Sequence, residues 1–183
     1  MLRLCSSSQT RSMLLTNAGI AFKQESVDFD EDSIIASSPK NFVYQATLGK
    51  YEANLKAFGL EELPLLVADT VVTSQGQILR KAKCVDDARN ILYTQSGNIT
   101  SIITCMIYQS KEKKVIDISQ TDYIFTKFDE DDLERYLESG EWRGKAGACM
   151  VEGFCKSYIK EVRGHESTAM GLSVEVLQRF MEK

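Results

Sequence analysis

A buried strand with one acidic residue in its middle is the feature of this sequence that most limits how the chain can fold. The segment Val67-Ala68-Asp69-Thr70-Val71-Val72 is mostly apolar or β-branched, which is typical of a strand inside a sheet. An ionised carboxylate in such a place is costly unless a partner compensates it. Asp69 therefore needs a cation, a metal ion or a ligand, or it is a structural residue bonded to a neighbouring turn. The segment alone leaves both interpretations open.

The composition is that of an ordinary globular protein. The 183 residues are 43% hydrophobic and 26% charged, and the formal net charge is −4. This mixed charge pattern argues against nucleic acid as a partner, since nucleic-acid-binding proteins usually carry a basic face. No apolar run reaches the roughly 18 residues of a membrane-spanning helix, and the N-terminus lacks an apolar stretch of signal-peptide length. We therefore expect one domain, residues 1–183, located in the cytoplasm with neither membrane nor nucleic acid as a partner.

The cysteines and the histidine point away from thiol, zinc or imidazole chemistry. Five cysteines are scattered without any CxxC pair, so we expect reduced thiols rather than a zinc site or a disulfide framework. The only histidine of the sequence, His165, lies in a polar, glycine-flanked stretch and is interpreted as a surface-loop residue. Ser-His and Cys-His mechanisms would depend on that residue, and both are set aside.

The order of predicted elements is mixed α/β. The sequence predicts strands at residues 2–5, 21–29, 65–73, 77–79, 100–108, 114–125 and 151–161. It predicts helices at residues 9–18, 39–58, 85–93, 129–139 and 172–181. A short charged turn separates the long runs 100–108 and 114–125, which favours an antiparallel pair. The predicted fold class is α/β, with a mixed, partly antiparallel sheet flanked by helices.

Residues near the N-terminus are suited to binding an anion. The first strand leads through Ser6, Ser7 and Ser8 into a helix, and Ser8 is a natural N-cap. This arrangement directs free backbone N–H groups and the positive end of the helix dipole to one place. Arg11, in the first turn of the helix, can reach the same anion. The alternative is an ordinary serine cap beside a solvated arginine.

Charged residues elsewhere offer further ligands. The acidic cluster 28–32 is typical of a solvated turn, but its carboxylates also suit Mg²⁺, which prefers oxygen ligands. Lys50 lies inside the longest predicted helix and is directed either to solvent or into a cleft. The glycine-punctuated loop 141–148 is of the type that carries functional residues.

Taken in order, these stretches resemble the Maf family of nucleoside triphosphate pyrophosphatases, also described as septum formation inhibitors. The resemblance runs from Leu4 to about Leu177 and rests on Ser6-Ser7-Ser8-Gln9-Thr10-Arg11, Glu31, Lys50, Ala68-Asp69-Thr70-Val71-Val72, Lys81, Ser96-Gly97, Lys145-Ala146-Gly147-Ala148, Gly153 and Gly171-Leu172. It implies a Maf/ITPase-like fold with two lobes around a cleft. It also implies a divalent metal cation, Mg²⁺ or Mn²⁺, and hydrolysis of a nucleoside triphosphate to the monophosphate and pyrophosphate. The family precedent for a partner chain is a homodimer.

The resemblance also gives roles to individual residues. Asp69 corresponds to the proton acceptor, and Asp69 together with Glu31 corresponds to the pair that holds the metal ion and orients the attacking water. The highly negative triphosphate must be neutralised by positive groups while phosphorus is attacked in line. Phosphate binding is assigned to Ser8, Arg11, Lys50 and Lys145, and a further catalytic role to Lys81.

Several departures from the family pattern bear on catalysis and specificity. The usual Pro-Arg-Arg is Gln9-Thr10-Arg11 here, so one arginine is missing at Thr10. The usual Gly-Lys-Pro is Arg80-Lys81-Ala82, and Gly144 replaces a common aspartate. Val151-Glu152-Gly153 is nearer to the branch acting on 7-methyl-GTP than to the dTTP and UTP branch, which has glutamine there. Because Thr10 and Thr70 stand where the 7-methyl-GTP branch has Trp and Gln, the sequence is intermediate.

Thr10, Thr70 and Glu152 are therefore the candidate residues for base specificity. An ionised Glu152 only accepts hydrogen bonds, which suits the N1–H and exocyclic amine of a guanine-type base, whereas glutamine also donates and suits uracil or thymine. The alternative is that Glu152 pairs with Lys156 or Arg143 and never meets the base. A function of another class also stays open, namely a division-arrest factor that binds a partner protein and uses nucleotide as a regulator.

Overall fold

The computed structural model describes residues 1–31, 34–149, 151 and 153–181. Over these residues it contains seven β-strands and six α-helices. The strands are β1 (Leu2–Leu4), β2 (Phe22–Gln24), β3 (Leu65–Ser74), β4 (Gln77–Ile78), β5 (Ile99–Gln109), β6 (Lys114–Phe125) and β7 (Ile159–Arg163). The helices are α1 (Gln9–Asn17), α2 (Pro39–Phe58), α3 (Val85–Gln95), α4 (Glu130–Ser139), α5 (Glu166–Ala169) and α6 (Val174–Met181).

The strands form one mixed sheet in the order β2-β1-β3-β5-β6-β7, with β4 paired to β3. β1 lies parallel to both β2 and β3. The pairs β3–β4 and β6–β7 are antiparallel. The predicted fold class, a mixed and partly antiparallel sheet flanked by helices, is confirmed.

Local capping residues determine where the two site-bearing helices begin and end. Ser8 precedes α1, and its side chain accepts a hydrogen bond from the Arg11 backbone N–H, as predicted. Ser38 caps α2 in the same way, and Pro39 occupies the first turn, where a missing N–H costs nothing. α2 ends at Gly59, whose φ of 60° favours glycine.

Two predicted strands are shorter than the sequence pattern indicates. The strand expected at 21–29 ends at Gln24, because its partner β1 ends at Leu4, the residue that pairs with Gln24. The strand expected at 151–161 is wrong before Ile159, since Phe154–Tyr158 forms a 3₁₀ helix.

Aromatic packing explains the 3₁₀ helix. The Phe154 ring stacks on Tyr136 with centroids 4.6 Å apart and lies 5.2 Å from Phe128, while Tyr158 lies 5.0 Å from Phe128. The helical turn brings the rings of Phe154 and Tyr158 to within 5.3 Å of each other. A strand would separate residues four positions apart by about 13 Å along the chain.

One pair of cysteines is oxidised, and His165 lies at the surface. Reduced thiols were the wrong expectation for one pair, because Cys149 and Cys155 form a disulfide with Cα atoms 6.3 Å apart. Burial raises the pKa of both Cys5 and Cys105 to about 11, so these two thiols are inert. The His165 side chain is 61% exposed at the start of α5, as expected for a surface residue.

The chain divides into two compact units. The first comprises Met1–Thr70, Ile103–Gln120 and His165–Lys183, and the second comprises Val71–Ile102 and Thr121–Gly164. No described helix has both the length and the apolarity needed to cross a membrane.

The first unit buries two apolar clusters, and successive side chains of β3 belong alternately to one and the other. Leu66 and Ala68 pack with Leu15 of α1 and Leu177 of α6. Leu65 and Val67 pack instead in the cluster of Tyr51, which belongs to α2. Since strand side chains alternate, residue 69 is expected on the same face as 65 and 67.

Candidate functional site

Asp69 lies on the α2 face of β3, as this alternation requires. It is 8% exposed, and the Lys50 ammonium of α2 donates to its Oδ1 over 2.6 Å. Of the two interpretations left open by the sequence, compensation by a cation is the one the structure shows. Lys50 is accordingly directed inward from its helix.

The same ammonium group contacts a second carboxylate, Glu31. One oxygen of Asp69 and one of Glu31 therefore contact the same nitrogen, Nζ of Lys50. The two carboxylates differ in their exposure to solvent. The Asp69 side chain is 11% exposed and the Glu31 side chain 40%. Burial raises the pKa of Asp69 above the usual range, and the positive charge of Lys50 opposes this shift. An acid of raised pKa beside a cation is typical of a catalytic site.

The Arg11 guanidinium is fixed by three hydrogen bonds. Its Nε donates to the Gly171 carbonyl over 2.8 Å, Nη1 to Ser6 Oγ over 3.0 Å and Nη2 to Thr70 Oγ1 over 3.2 Å. Arginine has five N–H donors, so two remain for a ligand. The alternative of a merely solvated Arg11 is wrong.

A cavity of about 270 Å³ connects these groups. Its lining includes the serine turn, Arg11, Glu31 and Lys50. The turn supplies the N-terminal end of α1, where backbone N–H groups favour negative charge. The cavity thus presents anion-binding groups beside Glu31 and Lys50, and Lys50 in turn contacts the buried Asp69 carboxylate. This combination can hold a phosphate next to an activated water.

A chain of hydrogen-bonded hydroxyl groups, Thr70 and Thr104, orients the Arg11 guanidinium. Thr104 Oγ1 donates to the Thr168 carbonyl over 2.8 Å and lies 2.9 Å from Thr70 Oγ1. Because a hydroxyl has one proton, Thr70 donates to Thr104 and accepts from Arg11. The sequence did not indicate Thr104 or Thr168, and it indicated Gly171 only as part of the resemblance, since nothing in a lone threonine or a backbone carbonyl predicts such a contact. The base-specificity role of Thr70 stays a prediction.

The remaining predicted residues are Thr10, Lys81, Lys145 and Glu152. Thr10 is half-buried in the first turn of α1. Lys81 and Lys145 belong to the second unit, where Lys81 forms an isolated antiparallel bridge with Ala146, the residue after Lys145. The structure thus brings the Lys81 segment and the glycine-punctuated loop together. Glu152 lies outside the described residues.

The donor set of the first unit fits a hard divalent cation. Asp69 and Glu31 direct carboxylate oxygens at one positive charge, and oxygen ligands of this kind suit Mg²⁺ or Mn²⁺. Among the described residues, no cluster of three or more His, Cys, Asp or Glu side chains is placed to ligate a metal. A metal ion here would therefore complete its shell with water or ligand oxygens.

Gly171 is expected to tolerate no side chain. Its φ is +101°, and an added Cβ would lie 3.2 Å from Thr70 Oγ1 and 3.4 Å from Arg11 Nε. We expect Gly171→Ala to lower the free energy of unfolding by about 2 to 3 kcal/mol, measured by urea denaturation. Gly19→Ala is the matched control, because its φ is +69° but nothing lies within 4 Å of an added Cβ. Equal losses in the two variants would mean that the contact with Arg11 is unimportant.

Comparisons with known proteins identify the family of the chain. The family described as "Maf-like protein" matches residues 1–183. A nucleoside triphosphate pyrophosphatase from a Nitratiruptor species is 59% identical over 179 residues, covering 97% of this chain and 96% of that protein. Proteins of the same name from Campylobacter jejuni subsp. jejuni serotype O:23/36 (strain 81-176) and Helicobacter pylori (strain J99 / ATCC 700824) are 37% and 38% identical, covering 99% and 95% of this chain and 100% and 91% of their own. The chain therefore belongs to the Maf family.

Proposed function

We propose that this protein is a nucleoside triphosphate pyrophosphatase that hydrolyses the α–β phosphoanhydride bond, releasing a nucleoside monophosphate and pyrophosphate. The observation that carries the proposal is the contact of the Lys50 ammonium with the carboxylates of Asp69 and Glu31, because Lys50 and Glu31 line the same cavity as Arg11 and the serine turn. The names of the relatives support the same activity.

The first unit contributes phosphate binding and water activation. The N-terminal end of α1 and the two remaining N–H groups of Arg11 can bind phosphate oxygens, and Lys50 adds a positive charge. Asp69 accepts the proton of the attacking water, and its raised pKa makes it a stronger base than an exposed aspartate. The catalytic role of Lys81 and the phosphate-binding role of Lys145 remain part of the proposal.

A divalent cation, Mg²⁺ or Mn²⁺, is part of the proposal. Asp69 and Glu31 are the residues that would hold it. Bound there, the ion would lower the pKa of a coordinated water and neutralise phosphate charge. The same proposal includes a homodimer and a cytoplasmic location, with neither nucleic acid nor membrane as a partner.

The preferred base is proposed to be a modified or non-canonical purine of the guanine type. Glu152→Gln is expected to shift the ratio of kcat/KM values towards uracil and thymine triphosphates, because glutamine supplies a donor that glutamate lacks. Steady-state kinetics with 7-methyl-GTP, GTP, UTP and dTTP measures the shift. Thr10→Ala serves as a comparison at a second predicted position. An unchanged ranking in Glu152→Gln would mean that another residue reads the base.

A substrate panel tests the function itself. Purified protein is incubated with canonical and modified nucleoside triphosphates in Mg²⁺ or Mn²⁺, and pyrophosphate release is measured. We expect turnover of at least one triphosphate, with pyrophosphate rather than phosphate as the product. No turnover across the panel would favour the division-arrest alternative, in which nucleotide only regulates binding of a partner protein.

A further inference from the structure

A glycine in the interior of α2 has a specific packing partner. Glycine weakens a helix interior relative to alanine, so its presence at position 49 needs a reason. A Cβ atom added to Gly49 would lie 2.2 Å from Cζ of Phe29 and 2.5 Å and 2.7 Å from its two Cε atoms. The end of the phenyl ring therefore occupies the space that any other side chain would need.

A second residue of α2 binds the same segment a little earlier in the chain. Asn54 is 1% exposed, and its Oδ1 accepts a hydrogen bond from the Val27 backbone N–H over 3.2 Å. Its Nδ2 donates to the Lys50 carbonyl over 2.7 Å, which fixes the orientation of the amide. Residues 25–31 lie outside helices and strands, so contacts of this kind determine their path.

These contacts lead directly to the catalytic pair. Glu31 follows Phe29 by two residues, and it contacts Lys50, the residue after Gly49. The Phe29 ring and the Glu31 carboxylate thus contact two consecutive residues of α2, Gly49 and Lys50. Phe29, Glu31 and Lys50 all line the cavity. Displacing the ring would move Glu31 away from the ammonium group.

We propose that Phe29, whose ring packs directly against the backbone of Gly49, is a positioning residue that holds Glu31 beside Lys50 and Asp69. The proposal rests on the proposed function, because it requires Glu31 to take part in turnover. It assigns Gly49 the role of admitting the ring, a role that alanine cannot fill.

A double-mutant cycle tests the proposal. Gly49→Ala is expected to lower kcat about 10- to 100-fold with a small change in KM, since a misplacement of about 1 Å costs this much in rate. Phe29→Ala should lower kcat similarly. In the Phe29→Ala background, Gly49→Ala should cause no further loss of kcat and should raise the unfolding temperature, because alanine favours the helix once the ring is gone.

The control is Glu52→Ala, an exposed position three residues along the same helix. It should leave kcat unchanged in both backgrounds. An unchanged kcat in Gly49→Ala, or equal losses in both backgrounds, would overturn the positioning role while leaving the proposed function intact. A wild-type protein without turnover on any triphosphate would overturn the proposed function and, with it, the role of Glu31.

Discussion

Replacing Asp69 by asparagine is expected to lower kcat for nucleoside triphosphate hydrolysis by about 100- to 10,000-fold, the range observed when a general base is removed. Asparagine keeps the size and the oxygen that faces Lys50, so the fold and the affinity for nucleotide should be retained. The measurement is steady-state pyrophosphate release, with nucleotide affinity determined by calorimetry. Full activity in this variant would refute the assignment of Asp69 as proton acceptor.

Stability provides a control for the same variant. Burial raises the pKa of Asp69 in the folded protein, so its contribution to stability is present below the unfolded pKa and is lost as pH rises through the folded one. Asparagine does not titrate. Asp69→Asn should therefore be at least as stable as the wild type at pH 7, and its relative advantage should disappear in acid. Urea denaturation at both pH values separates lost catalysis from lost folding.

Removal of Lys50 is expected to lower both stability and activity. Lys50→Met leaves the buried Asp69 carboxylate without its cation, which should cost about 2 to 3 kcal/mol. We place the value below the range for fully buried pairs because the Lys50 side chain is 22% exposed. Activity should fall as well, since the same ammonium group is assigned to phosphate binding. Urea denaturation at pH 7 measures the stability change.

Two comparisons identify the cause of that loss. The double variant Lys50→Met, Asp69→Asn should recover most of the stability, because the uncompensated charge is then absent. The deficit of Lys50→Met should also shrink as pH falls, since protonation neutralises Asp69. Lys56→Met, at an exposed position of the same helix, should be close to wild type. A deficit that persists in the double variant would indicate lost packing rather than lost charge compensation.

Local signals in the sequence predicted much of the fold. Ser8 and Gly59 limit their helices through hydrogen bonds and backbone angles that depend on neighbouring residues. The isolated acid in a β-branched run likewise indicated that Asp69, unless it is bonded to a neighbouring turn, needs a compensating cation, metal ion or ligand. Lys50 supplies it from a helix 19 residues earlier in the chain.

What the sequence could not show depends on contacts between distant residues. The support of Arg11 by Thr70, Thr104 and Gly171 uses hydroxyl and carbonyl groups that occur throughout any chain. The strand expected at 151–161 was wrong before Ile159 because Phe154 and Tyr158 pack against each other and against the distant Phe128, contacts that the apolar pattern does not show.

The Arg11–Gly171 hydrogen bond joins residues 160 positions apart. During synthesis on the ribosome, Arg11 is made 160 residues before Gly171, which supplies its acceptor. An incomplete polypeptide therefore has the serine turn and the arginine but lacks the carbonyl that orients the guanidinium. Chains that end before Gly171 are thus expected to show no turnover.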